Sequence, residues 1–342
     1  MNKFVFVVIL FLGVALVILS FGELETILNT LQGGNHWYLF LALVIQLAWF
    51  LVIGQMYHSI YQLLGMDDST MNLSVVAAAA AFVNIVMPTG GMGGIALFAA
   101  EARRRGHPIG KATVAAALFV LFDQAAFLFI LALGLIVLIR RGNLSLGEVT
   151  ATVILLVMAS VIAFMLYLGY RSANRLGNVL AKMSRLVNRF THFILHRDYL
   201  SEERAHAFAH EIAQGLSGLT ENPNVMIRPV LWGLLNKCML MGVLLAAFLA
   251  FGVPFSAGTI VGGFSIGYLF LIVSPTPSGI GVVEGLMPLA LSSLRVAWSQ
   301  GVIVTLAYRA VTFWVPLGVG ALAFRRLHFN GNGESRKHGP TL

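Results

Sequence analysis

Charge is scarce in this sequence. Asp, Glu, Lys and Arg make up 11% of its 342 residues, against 58% hydrophobic. A soluble domain could not hide that much apolar surface. Cysteine is scarcer still: Cys238 stands alone inside an apolar run, which excludes a disulfide framework and a CxxC metal site. No GxxxxGK[ST] occurs, so there is no P-loop for ATP. No DxD motif and no Ser/His/Asp cluster falls at membrane depth, and a catalytic site needs such a constellation. Glu284 and Asp123 alone are thin material for an enzyme. A small-x-small cleavage pattern is also missing after the first apolar run, where the chain reads ILSFGELET. That run is therefore an uncleaved span, not a secretory signal.

What the sequence has in quantity is apolar runs long enough to cross a bilayer, roughly 18 residues or more. They lie at 4–21, 37–64, 112–139, 149–170, 230–251 and 302–324, and the mean hydropathy is +0.86. An all-α polytopic membrane protein follows. The net charge of +8 is unevenly placed, with eight basic residues between Arg171 and Arg228, a cluster in RRRGHPIGK, and four from Arg325 onward. Basic residues in short loops mark the cytoplasmic side, so these three regions share a face. A rim against anionic lipid headgroups explains them, and nucleic acid is not an expected partner.

Two further apolar stretches are broken, one by MPTGGMGG within 73–100 and one by SPTPSGIG within 257–294. If the first crossed the membrane once, RRRGHPIGK and the basic segment 171–228 would both fall outside. If each enters and returns as a re-entrant hairpin, they share the cytoplasmic face with both termini. The predicted architecture is therefore about six full spans plus two Pro/Gly-broken hairpins in one transmembrane domain, 1–326, followed by a disordered tail, 327–342.

From Pro88 to Asp123 is 35 residues, and from Pro275 to Arg309 is 34. Each unit (about 71–140 and 256–325) runs apolar helix, break, short helix, connector, then a long span carrying a charge. Entered from opposite faces, the units form an inverted repeat, a pattern that points to a transporter binding site; two unrelated kinked helices are the alternative. Proline removes a donor and glycine permits reversal, and unpaired backbone survives only inside protein or beside water. Pro88, Gly90, Gly91 and Gly93 should then face Pro275, Pro277, Gly279 and Gly281, with helix N-termini offering N–H groups to an anion.

Charges at membrane depth are costly and should be paired or face water. Asp123 and Arg309 sit near mid-membrane and are predicted to lie close together, either as a transport site or as a structural ion pair. Glu284, just past the second break, reads equally as a helix cap or a proton site. Lys237 could bind a lipid phosphate or snorkel. In 171–226, Leu176, Val179, Leu180 and Met183 begin an apolar stripe beside Arg175 and Lys182, the pattern of a helix lying on the inner leaflet. A second helix, with Phe208 and Ile212 in its stripe, follows. His192/His196 and His206/His210 have zinc-compatible spacing, yet no Cys accompanies them, so solvated faces are the better reading and no metal or other cofactor is expected.

PTPSGIGVVEG followed by AYRAVTFWVPLGVGAL, and NIVMPTGGMGG with the later Asp123, resemble the two signatures of the flippase-like, lysylphosphatidylglycerol synthase transmembrane-region family. The resemblance covers roughly 4–325. GGIALFAA and FVLFD lack the Arg and the Glu-Arg pair that members often carry there. The best-known members flip aminoacylated phosphatidylglycerol and are fused to a soluble aminoacyl-transferase domain. The resemblance implies a stand-alone lipid translocator (flippase or scramblase) of the bacterial or archaeal inner membrane, moving an anionic or modified phospholipid or a lipid-linked headgroup. An accessory subunit or a lipid-modifying enzyme is the alternative. Membrane lipids, and a separate lipid-synthesising enzyme, are the implied partners, with a homo-oligomer left open. The substrate contacts it implies are Arg309, Glu284 and Asp123, the glycines and prolines of both breaks, and Asn84 and Tyr308 from the signatures, with Lys237 added from its place in an apolar span. Movement would be downhill or ion-coupled, with Glu284 or Asp123 as the proton site.

Overall fold

The computed structural model describes residues 30–86, 92–140, 142, 146–182, 185, 206, 209, 210, 213, 227–274 and 276–335. Among them the chain is helical, without strands. The main helices are α1 (His36–Leu63), α2 (Thr70–Val86), α3 (Met92–Arg104), α4 (Ile109–Arg140), α5 (Leu146–Arg171), α6 (Ile227–Ala250), α7 (Ala257–Val273), α8 (Val282–Ser293), α9 (Trp298–Arg309) and α10 (Val315–Ser335). Among the described residues four stretches are long and apolar enough to cross a membrane: α1, α4, α6 and the run Trp298–Leu327. They coincide with the runs predicted at 37–64, 112–139, 230–251 and 302–324, and α5 covers 149–170. The run at 4–21 lies outside the described residues. Large apolar side chains such as Phe40, Leu47, Phe129 and Ile136 point outward, as hydrocarbon-facing surface should.

Local chemistry sets the helix ends. Asn35 caps α1, its Oδ1 accepting from Trp37 N at 3.0 Å, and Ser256 caps α7 through Thr259 N at 3.1 Å, satisfying donors a helix start leaves open. Between α9 and α10 the chain widens into a π turn, Ala310–Trp314. Pro316 has no N–H to offer the Thr312 carbonyl one turn back, which favours such a bulge.

Each broken segment folds back on itself. Arg105 Nη1 lies 3.1 Å from Asp68 Oδ1, so the start of α2 meets the end of α3. In the second segment, a Cβ on Gly262 would come 3.0 Å from Leu294 Cδ1, and one on Gly267 would come 2.9 Å from Met287 Sδ. Rising along α7 means descending along α8, and glycine is what lets the two backbones approach.

The two halves match in architecture. α2 and α7 are 17 residues each, and α3 and α8 are 13 and 12. A spacing of 187 residues relates their bounds (70 to 257, 86 to 273) and also the ends of α1 and α6 (63 to 250). The repeating unit therefore includes α1 and α6, which the sequence reading omits. Packing is reciprocal: α2 lies against α10, and α7 lies against α4. Gly320 abuts Ala78, while Gly134 abuts Ser265, and Ala78 and Ser265 are again 187 apart. α1 and α6 pack on each other at the centre.

Residues 173–182 are helical; of the predicted stripe Leu176 is buried and Val179 and Leu180 are half-buried, Arg175 and Lys182 are exposed, and Met183 lies outside the described residues. His206 lies against Gly177; His192, His196, Phe208 and Ile212 lie outside the described residues. α10 continues to Ser335, so 327–335 are helical where the sequence predicts a disordered tail. Buried Leu327, whose carbonyl accepts from Arg104 Nη1 at 3.0 Å, anchors the helix beyond the apolar run.

Candidate functional site

The second break holds itself together with its own side chains. Thr276 Oγ1 donates to Ile280 O at 2.9 Å, and Ser274 Oγ accepts from Thr276 N at 3.1 Å. The serine and threonine thus serve backbone groups that a continuous helix would have paired, which a break at membrane depth requires. Ser278, Gly279 and Gly281 take left-handed φ values of 49°, 71° and 77°, and this is why the segment reads PSGIG.

Arg309, 3% exposed, fixes the break from the last span. Its Nε donates to Glu284 Oε1 and its Nη2 to Ser278 O at 3.0 Å. The other Glu284 oxygen accepts from Gly281 N at 2.8 Å, capping α8. Of the two readings of Glu284, the cap is what the structure displays, with Arg309 as its counter-charge. In the first unit Asn84 plays the corresponding part, its Oδ1 accepting from Gly94 N at 2.8 Å near the start of α3. At both breaks, then, an N–H expected to await a ligand already meets a protein acceptor.

Asp123 and Arg309 do not pair with each other. Lys237 Nζ lies 2.7 and 2.8 Å from the Asp123 carboxylate oxygens and donates to Tyr268 OH at 2.7 Å. Asn236 Nδ2 donates to Asp123 Oδ1 at 2.7 Å, and Trp49 Nε1 donates to Asn236 Oδ1. Lys237 is fully buried, so it neither snorkels nor meets lipid; α6 turns it inward to Asp123. Trp49 and Asn236 are separated by the same 187 residues as the helix bounds, so their hydrogen bond joins equivalent positions of the two halves.

Two adjoining cavities share a wall; the first is lined from both halves, the second mainly from the first half with Asn236 and Tyr268 from the other. One, about 200 Å³, is bordered by Gln46, Asn84, Ser278, Tyr308 and Arg309 among others. The other, about 230 Å³, is bordered by Tyr57, Gly94, Phe98, Asp123 and Asn236 among others. Trp49, Ala81, Asn84 and Tyr268 border both. Each cavity meets one member of an ion pair, Arg309 or Asp123, while the partner, Glu284 or Lys237, stands behind it. The lining of each is largely apolar and carries one charged group whose charge its partner neutralises.

Of the residues singled out in the sequence, Asn84, Asp123, Tyr308 and Arg309 reach the cavities. Glu284 and Lys237 support them. Pro277, Gly279 and Gly281 shape the second break, and Gly93 lies beside cavity-lining Gly94. Pro88, Gly90, Gly91 and Pro275 lie outside the described residues. Gln46, Trp49, Asn236, Tyr268 and Ser278 are missed by the sequence reading. Asn236 beside Lys237, and a glutamine within an apolar span, were the available signals. Cys238 is exposed, on the opposite face of α6 from the site.

Among known proteins, a family model described as the lysylphosphatidylglycerol synthase TM region matches residues 4–320. No curated protein and no solved structure matches the chain.

Proposed function

The chain belongs to the lysylphosphatidylglycerol synthase transmembrane-region family, and from that premise we propose that it is a lipid translocator. In this reading a headgroup crosses between leaflets through the two cavities while the acyl tails remain in the bilayer. The observation that carries it is the pair of adjoining, largely apolar cavities beside two matched, broken helices, each bordered by one member of an ion pair, Arg309 or Asp123. Charged residues at membrane depth commonly mark such a pathway, and broken helices facing one another at a repeat interface commonly mark its midpoint.

The reading includes six crossings and two re-entrant hairpins, related as an inverted repeat, in the cytoplasmic membrane with both termini inside. The chain moves lipid and makes no covalent bond, with a separate enzyme supplying its substrate. An anionic headgroup enters beside the basic segment that follows α5. It is oriented by Arg309, whose guanidinium uses two of its five N–H groups on Glu284 and Ser278 and keeps the others for a phosphate oxygen.

Reconstitution tests it. Proteoliposomes carrying labelled phosphatidylglycerol, its lysyl form or a polyprenyl phosphate should lose lipid asymmetry only when the protein is present. If none of the three moves, with or without a proton gradient, the translocator reading falls. The topology has its own test. Cysteines at Ser69 and Gly106, both at the end where Arg105 meets Asp68, should label from the cytoplasmic side. Labelling from opposite sides would end the hairpin.

A further inference from the structure

Gln46 is fully buried in α1, and neither Nε2 nor Oε1 has a hydrogen-bond partner. Buried side-chain amides are nearly always bonded, and leaving one unpaired opposes folding. An apolar residue of similar size would remove that cost, so the amide needs another reason to be there. It borders the 200 Å³ cavity together with Arg309, Asn84 and Ser278. Other polar groups on this wall are already committed: Trp49 Nε1 to Asn236, Asn84 Oδ1 to Gly94, and two guanidinium N–H groups to Glu284 and Ser278. At Gln46 the whole hydrogen-bonding capacity remains open.

We propose that Gln46 is a specificity-determining residue of this cavity, reading a hydroxyl or carboxamide that sits beside a phosphate on the lipid headgroup. The chemistry selects that class. A carboxamide presents two N–H donors and one acceptor oxygen. A bare phosphate accepts only, so it would leave Oε1 unmet, and a primary ammonium donates only, so it would leave Nε2 unmet. A quaternary ammonium does neither. A hydroxyl or amide meets both atoms, whichever way the side-chain amide is turned. Arg309 then holds the phosphate, and Gln46 distinguishes a glycerol or sugar headgroup from an unsubstituted one. The inference rests on the lipid-translocator reading and deepens it.

The test is binding to the purified full chain in nanodiscs, with short-chain phosphatidylglycerol and phosphatidic acid as probes. They differ by the glycerol that carries the hydroxyls. The wild type should prefer phosphatidylglycerol by roughly tenfold, which is about the contribution of one well-made hydrogen bond at a buried site. Gln46→Leu should bind both lipids alike, at the phosphatidic acid level, with its melting temperature unchanged or raised. Gln46→Met gives a second apolar variant in case leucine packs poorly. Equal affinities in the wild type, binding of neither lipid, or a preference that survives both substitutions would overturn the proposal. A preference for phosphatidylglycerol without any lipid movement in vesicles would instead remove the translocator reading and leave Gln46 as a headgroup-reading residue.

Discussion

An Arg309→Met, Glu284→Gln double variant is expected to insert and fold while moving lipid roughly ten- to a hundredfold more slowly than wild type, the range that a lost charge-assisted hydrogen bond supplies. The double change matters because Arg309 acts in two places. It borders the cavity, and it also holds the second break through Glu284 and the Ser278 carbonyl. Arg309→Ala alone would leave the Glu284 carboxylate without its counter-charge, with only Gly281 N as a partner. Breaking a buried pair from one side costs about 3–5 kcal/mol, so lost transport in that variant could reflect an unravelled break. Replacing both members with neutral residues of similar shape removes most of that cost, and the amide that takes the place of the carboxylate can still accept from Gly281 N. Arg309→Lys is a useful third arm. A lysine keeps the charge but lacks the planar fork that reaches Glu284 and Ser278 together, so it should transport poorly. The measurements are gel-filtration profile and thermal unfolding for folding, and initial rates of dye-labelled lipid loss for transport. Wild-type rates in the folded double variant would remove Arg309 from the site.

Much of this arrangement was legible in the sequence because breaking a helix in hydrocarbon demands visible residues. SPTPSGIG announces both the interruption and the hydroxyls that repair it, and the 34- and 35-residue spacings to Arg309 and Asp123 foretell two units of one design. What was not legible is which charges meet. Counting residues along a helix gives a side chain's depth but not the direction it faces. Asp123 and Arg309 are counted to similar depths along their spans, and depth alone suggests that they pair. Their actual partners come from elsewhere: Lys237 reaches Asp123 from 114 residues away, and Glu284 comes from Arg309's own unit, 25 residues earlier. The inclusion of α1 and α6 in the repeat was hidden for a related reason. Trp49 and Asn236 occupy equivalent positions but differ in chemistry, and only the 187-residue spacing of helix ends relates them. A lone Gln46 in an apolar span reads equally as lipid-facing or buried until packing decides.

The Asp123–Lys237 pair should show the strongest thermodynamic coupling in the protein. Asp123→Ala is expected to destabilise by about 3–5 kcal/mol, the cost of leaving a buried charge without its partner. Lys237→Met should cost less, and the reason is geometric. Lys237 is fully buried behind the cavity wall, so its ammonium would be left with Tyr268 OH and no route to water. Asp123 borders the cavity and keeps the Asn236 amide at 2.7 Å, so its carboxylate is less isolated when the lysine goes. Combining the two removes both charges together and should recover most of the loss. The departure from additivity would then lie well beyond the roughly 0.3–0.5 kcal/mol scatter of independent sites. Denaturant unfolding of the four proteins in mixed micelles completes the cycle. Additive losses would mean that the pair is not coupled in the bilayer-mimicking state. A larger cost for Lys237→Met than for Asp123→Ala would mean that water does not reach Asp123 through the cavity, and with it would go the view that this carboxylate faces the transport path.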